Sequence, residues 1–148
     1  MISEFGFRIE KHDMTPEEMK QRTKQFGLRA IRLAAALPKD RAADVIGRQL
    51  IRAATSVGAN YRAACRSRSN ADFSARMGIV EEEADESLYW MEIVADAGLL
   101  AKSRLEELKK EGEEILRMVV ASIRTVKAKV RKLRTGQSEI RNPKSEIG

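Results

Sequence analysis

Apolar residues recur along this chain at alternating intervals of three and four, the period of a helix with one buried face. Met19, Thr23, Phe26, Ala30, Leu33 and Leu37 form the first such stripe. Thr15 ahead of it is a capping residue, Pro16 suits the first helical position, Glu18 completes a capping box, and Pro38 stops the run. A second stripe, Ile46, Leu50, Ala53, Val57 and Ala64, follows the N-cap candidate Asp40. The third comprises Phe73, Met77, Val80, Ala84, Leu88, Met91 and Ala95; Ser69 is placed to cap it and Gly98 to end it. The fourth runs through Leu105, Leu108, Gly112, Leu116, Val119, Ile123, Val126, Val130 and Leu133, with Ser103 and Glu106 as its expected capping box. Helices are therefore predicted near 15–37, 40–67, 70–97 and 102–134. Their short connections favour antiparallel neighbours, so the expected fold is all-α, an up-down-up-down four-helix bundle.

Outside these stripes the pattern stops. Residues 1–13 are mixed and aperiodic and read as a disordered extension, with Met14 an alternative start. After Gly136 the phrase Ser138-Glu139-Ile140 restarts as Ser145-Glu146-Ile147 with no apolar face, so 135–148 reads as a disordered tail. The bundle proper is placed at 14–134. Within it, Gly58 lies among Ala53, Ala54, Ser56, Ala59, Ala63 and Ala64. Glycine costs about 1 kcal/mol relative to alanine inside a helix. Its presence here predicts a close approach by another backbone.

Composition agrees with helices: only 5% of the 148 residues are aromatic, and there are three prolines. The 43% apolar share is too large for a wholly disordered chain. No apolar run approaches the ~18–20 residues that span a bilayer, and the first residues lack the form of a secretory signal. A cytoplasmic protein with no membrane partner is expected. A single cysteine, Cys65, cannot form an internal disulfide.

The net charge of +6 conceals a strong segregation. Residues 69–98 carry eight acidic residues and one basic one, whereas 99–134 carry eleven basic and five acidic. Arg117, Arg124, Lys127, Arg131 and Arg134 follow helical spacing and form one basic stripe about 25 Å long, and no acidic residue occurs from 117 to 134. Arg62, Arg66 and Arg68 form a second cluster, with Arg52 further back. Such arrays neutralise phosphate backbones without reading sequence. They also occur as solvated helix ends that complement the helix dipole.

Candidate chemistry is sparse. The acidic run Glu81 to Glu86 lacks the Glu-x-x-His pairs of di-iron bundles, and the single histidine, His12, lies outside the predicted helices. No metal or other cofactor is expected; pairing of these acids with second-helix arginines, within or between subunits, accounts for them better. There is no Gly-rich phosphate loop, no Gly-x-Ser-x-Gly motif and no base within the fold. Cys65 among small residues reads as a buried thiol rather than a nucleophile. Tyr89-Trp90 reads as packing rather than a base-stacking platform. No catalytic residues are assigned, and an enzyme is not expected.

The stretch Arg48-Gln49-Leu50-Ile51-Arg52-Ala53-Ala54-Thr55-Ser56-Val57-Gly58-Ala59-Asn60-Tyr61-Arg62-Ala63-Ala64 resembles the signature of the four-helix-bundle family of 23S rRNA intervening-sequence proteins. Ala71-Asp72-Phe73 and Glu82-Glu83-Ala84-Asp85-Glu86-Ser87-Leu88-Tyr89-Trp90 resemble its second block, with Glu-Ala-Asp-Glu where a small-residue stretch is more usual. The resemblance covers roughly 14–134. It implies a bundle whose members form ring-shaped homopentamers. Relatives include the basic accessory variability proteins of diversity-generating retroelements, which bind nucleic acid and contact a reverse transcriptase. The family has no catalytic residues to carry over. Its Arg/Asn block falls on Arg52, Ser56, Asn60 and Arg62, as structural or subunit-interface residues. Arg52, Asn60, Glu82, Asp85 and Glu86 are the interface residues expected.

Together these readings lead to a non-catalytic homo-oligomer, a pentamer, that binds RNA or DNA. Arg117, Arg124, Lys127, Arg131, Arg134, Arg62, Arg66 and Arg68 are the expected contacts. The competing expectation is a protein-interaction scaffold whose basic face meets an acidic protein.

Overall fold

The computed structural model describes residues 7–9 and 12–141. Two short strands, β1 (Phe7–Ile9) and β2 (His12–Met14), precede four helices: α1 (Pro16–Ala35), α2 (Arg41–Ala64), α3 (Asn70–Asp96) and α4 (Lys102–Arg141). Each helix packs along the next, and α4 closes against α1, making the antiparallel four-helix bundle that the periodicity predicts.

Local chemistry sets most of the helix ends. Thr15 accepts from the Glu18 N–H at 3.1 Å while its own N–H donates to the Glu18 carboxylate at 3.0 Å, the reciprocal capping box. Asp40 accepts from Ala43 N–H at 2.8 Å, and Ser69 from Asp72 N–H at 3.0 Å. Gly98 follows α3 with φ of 69°, a left-handed conformation that a side chain would strain. One expected cap is not formed. Ser103 lies inside the first turn of α4, because the helix already starts at Lys102.

Both ends of the chain differ from the sequence reading. β1 and β2 pair antiparallel, with Phe7 opposite Met14 and Ile9 opposite His12, where an aperiodic extension is expected. Strands of three residues are too short to leave an alternating pattern. At the other end α4 continues to Arg141 rather than stopping at Arg134. Gly136 weakens a helix by only about 1 kcal/mol, and the first strong stop in the sequence is Pro143. The rest of the expected tail, 142–148, lies outside the described residues.

The core follows the stripes closely. Met19, Phe26, Ala30, Leu50, Val57, Met77, Val80, Ala84, Met91, Val119 and Val126 are all buried. Ile115, Met118, Val94 and Tyr61 join them although no stripe includes them. Leu133 is the exception among the stripe residues, being 54% exposed. It lies near the end of the α3–α4 contact, where Arg131 and Arg134 flank the first turn of α3.

Gly58 has the neighbour expected of it. A Cβ there would stand 3.3 Å from the backbone carbon and oxygen of Thr23 on α1, so the two helices meet backbone to backbone. Thr23 is itself buried, and its hydroxyl donates to Met19 O at 2.9 Å. That bond removes the cost of an unsatisfied hydroxyl in the seam.

Candidate nucleic-acid interface

Up-down-up-down topology puts the N-terminal ends of α1 and α3 at the same pole as the C-terminal ends of α2 and α4. Two basic clusters far apart in sequence therefore come together. On one side of this pole, Lys20 and Lys24 of α1 share a groove with Arg62, Arg66 and one acid, Glu17, which pairs with Lys20 at 2.9 Å. On another side, Lys127, Arg131 and Arg134 of α4 flank Asn70, Ala71 and Ser74 of α3. Arg68 lies in the short connection between α2 and α3. Arg117 and Arg124 continue the α4 stripe toward the middle of the bundle.

Arg62, Arg66, Arg68, Arg117, Arg124, Lys127, Arg131 and Arg134 are all exposed. Among the described residues none of these eight pairs with a carboxylate. Two acids just before the stripe, Glu111 and Glu114, are engaged elsewhere. Glu111 receives Arg22 Nε and Nη2 at 2.7 and 2.8 Å, and Glu114 receives Arg22 Nη2 at 2.9 Å. This fork joins α1 to α4 with both Arg22 and Glu111 largely withdrawn from water, and hydrogen bonding to Glu111 raises the Arg22 pKa further. Sequence reasoning missed it. The signal was the i, i+3 pair Glu111/Glu114 on the side of α4 that meets α1.

Most acids of α3 lie away from this pole; the exception is Asp72 in its first turn, which Arg76 holds at 3.2 Å. Arg52 on α2 reaches Glu83 at 3.1 Å and also pairs with Glu86, within one chain. Trp90 Nε1 donates to the same Glu86 at 3.2 Å, and the Trp90 ring meets Tyr89 edge-on at 5.1 Å between centroids. Asn60 donates to Ser56 O at 2.9 Å, one turn back along α2. Glu82 and Asp85 are exposed to solvent. Of the five expected interface residues, Arg52, Asn60 and Glu86 thus have partners inside the subunit.

Cys65 is buried beside Tyr61. Burial raises the thiol pKa, outweighing the lowering effects of the Tyr61 hydrogen bond and of Lys20, so the group is a thiol at neutral pH. Burial likewise drives the Tyr61 hydroxyl far above its ordinary value. Among the described residues no group of three or more His, Cys, Asp or Glu side chains is placed to hold a metal ion, and no helix is long and apolar enough to cross a membrane.

Fold and pole together define a small helical-bundle protein with one strongly cationic end. The 23S rRNA-intervening sequence protein family matches residues 17–121, and the chain belongs to that family. A crystal structure of a protein of unknown function from the S23 ribosomal protein family of Bacteroides thetaiotaomicron VPI-5482 is similar, with 28% sequence identity and a TM-score of 0.67. The similarity covers 71% of this chain and 97% of that one. No curated protein matches the chain.

Proposed function

We propose that this protein is a non-catalytic nucleic-acid-binding bundle that holds the phosphate backbone of RNA or DNA against its cationic pole. The observation that carries the reading is the gathering of six exposed cations from α2, α4 and the connection after α2 at one pole, with Arg117 and Arg124 extending the α4 stripe away from it, none of the eight paired with a carboxylate among the described residues. Arg22 and Arg52, by contrast, pair with carboxylates inside the subunit. Cations left bare at one end create a positive field that attracts and orients polyanions. The family description, which refers to 23S rRNA, supports RNA as the first ligand to test.

Titration of labelled rRNA fragments at several salt concentrations checks this. Binding weakens linearly on a log–log scale as salt rises, because each neutralised phosphate releases condensed cations. No binding at about 50 mM salt, a condition under which phosphate contacts are strong, overturns the reading and favours a scaffold for an acidic protein.

Self-association belongs to the same proposal, as a ring of five subunits. Glu82 and Asp85 are exposed on α3, have no ion-pair partner among the described residues, and are available to arginines of a neighbouring copy. Light scattering at micromolar concentration then returns a multiple of the 16.6 kDa chain mass; the monomer mass contradicts it.

A further inference from the structure

The α4 stripe is not a uniform surface. At its end it borders a recess of about 350 Å³ between α4 and the first turns of α3. Lys127, Arg131 and Arg134 line one wall at intervals of four and three residues, spanning about 10 Å of helix. Asn70, Ala71 and Ser74 of α3 line the opposite wall, two of them with neutral hydrogen-bonding side chains, and Val130 lies on the α4 side. The carboxylate of this turn, Asp72, is not in the lining and is held by Arg76 at 3.2 Å. Among the described residues no carboxylate lines the recess.

Resting on the nucleic-acid reading above, we infer that this recess seats a terminal phosphate monoester, the phosphorylated end of a bound strand. Charge and shape both point to an end group. A phosphate monoester carries about −1.5 to −2 charge at pH 7 and three free oxygens, whereas an internal phosphodiester carries a single charge. Three unneutralised cations facing two neutral hydrogen-bonding side chains match the dianion. The volume, at the lower limit of ligand pockets of about 300–1,000 Å³, takes a phosphate with its sugar. An internal phosphate would need the strand to enter and leave the same recess. The opening residues of α3 add the positive end of a long helix to the same wall. Arg117 and Arg124 then meet the strand that extends from the seated end.

The experiment compares a 12-nucleotide RNA bearing a 5′-phosphate, the same RNA with a 5′-hydroxyl, and a 5′-mononucleotide. They are titrated against the full chain at about 100 mM salt. The expected result is at least tenfold tighter binding of the phosphorylated strand than of the hydroxyl strand, with the mononucleotide far weaker than either. Ser74→Leu fills the recess with a better helix former and removes the preference. Arg104→Gln, at the opposite end of α4, keeps it. Equal binding of both strands with a steep salt dependence overturns the end-group inference while leaving the nucleic-acid reading intact. Absence of binding to any of the RNAs overturns both. A mononucleotide that binds as tightly as the phosphorylated strand assigns the recess to small phosphomonoesters and overturns the strand-end assignment. A Ser74→Leu protein with native helicity and an unchanged preference also overturns it.

Discussion

Replacing Arg124, Lys127 and Arg131 together with glutamine weakens RNA binding roughly a hundredfold at about 0.1 M salt and flattens its salt dependence. These side chains are exposed on one face of α4 and have no carboxylate partner among the described residues, so their removal breaks no structural ion pair there. Glutamine is a comparable helix former, and the circular-dichroism spectrum and melting temperature should stay close to native. Each phosphate of a single strand that is no longer neutralised lowers the slope of log K against log salt by about 0.7, so three of them lower it by roughly 2. The weakening should be similar for unrelated sequences, because phosphate contacts carry no base information. An unchanged slope in the folded variant moves the binding surface to Arg62, Arg66 and Arg68 on the neighbouring side of the pole.

Gly58→Leu should destabilise the fold by about 3 kcal/mol, the upper range for forcing extra carbons into a packed seam. Even the Cβ of the new side chain would meet Thr23 backbone at 3.3 Å, and the rest of leucine has only α1 to displace. Thr23 backbone cannot turn aside as a flexible side-chain tip could. A loss of this size is a large part of the roughly 5–15 kcal/mol that holds a typical domain together. Gly78→Ala supplies the contrast. Gly78 lies inside α3, and a Cβ there would have nothing within 4 Å, so alanine should stabilise by up to about 1 kcal/mol. Urea unfolding of the two variants beside the parent protein decides the matter. Equal midpoints for Gly58→Leu and the parent would mean that α1 and α2 do not meet at Thr23.

Both glycines look alike in the chain, each costing its helix the same intrinsic propensity. Small neighbours single out Gly58 for close approach, and the seam with α1 bears that out. The four helices are legible for a similar reason: period, caps and stops are local, and each end reflects one or two side chains. Thr15, Asp40, Ser69 and Gly98 all act where their chemistry predicts. Sequence reasoning fails where a signal is weak or another element decides. Tyr61 carries a polar tip, and its burial depends on how the packed helices enclose it. Leu133 repeats faithfully at helical spacing but lies near the end of the α3–α4 contact and stays exposed.

Charge shows the same division between local and global. Sequence by itself determined the helices, the buried face of each, the family signature, and the segregation of acids on α3 from bases on α4, because all of these depend on residue type and spacing within one element. The pairing of Arg52 with Glu83 and Glu86, and of Arg22 with Glu111 and Glu114, was decided only by which helix faces met. So was the cationic pole. Arg62 to Arg68 and Lys127 to Arg134 lie some sixty residues apart in the chain, and antiparallel packing brings them to one end of the bundle. Coulomb interactions act through space rather than along the chain, so the partner of each charge, and the charges left bare, are properties of the packed helices alone.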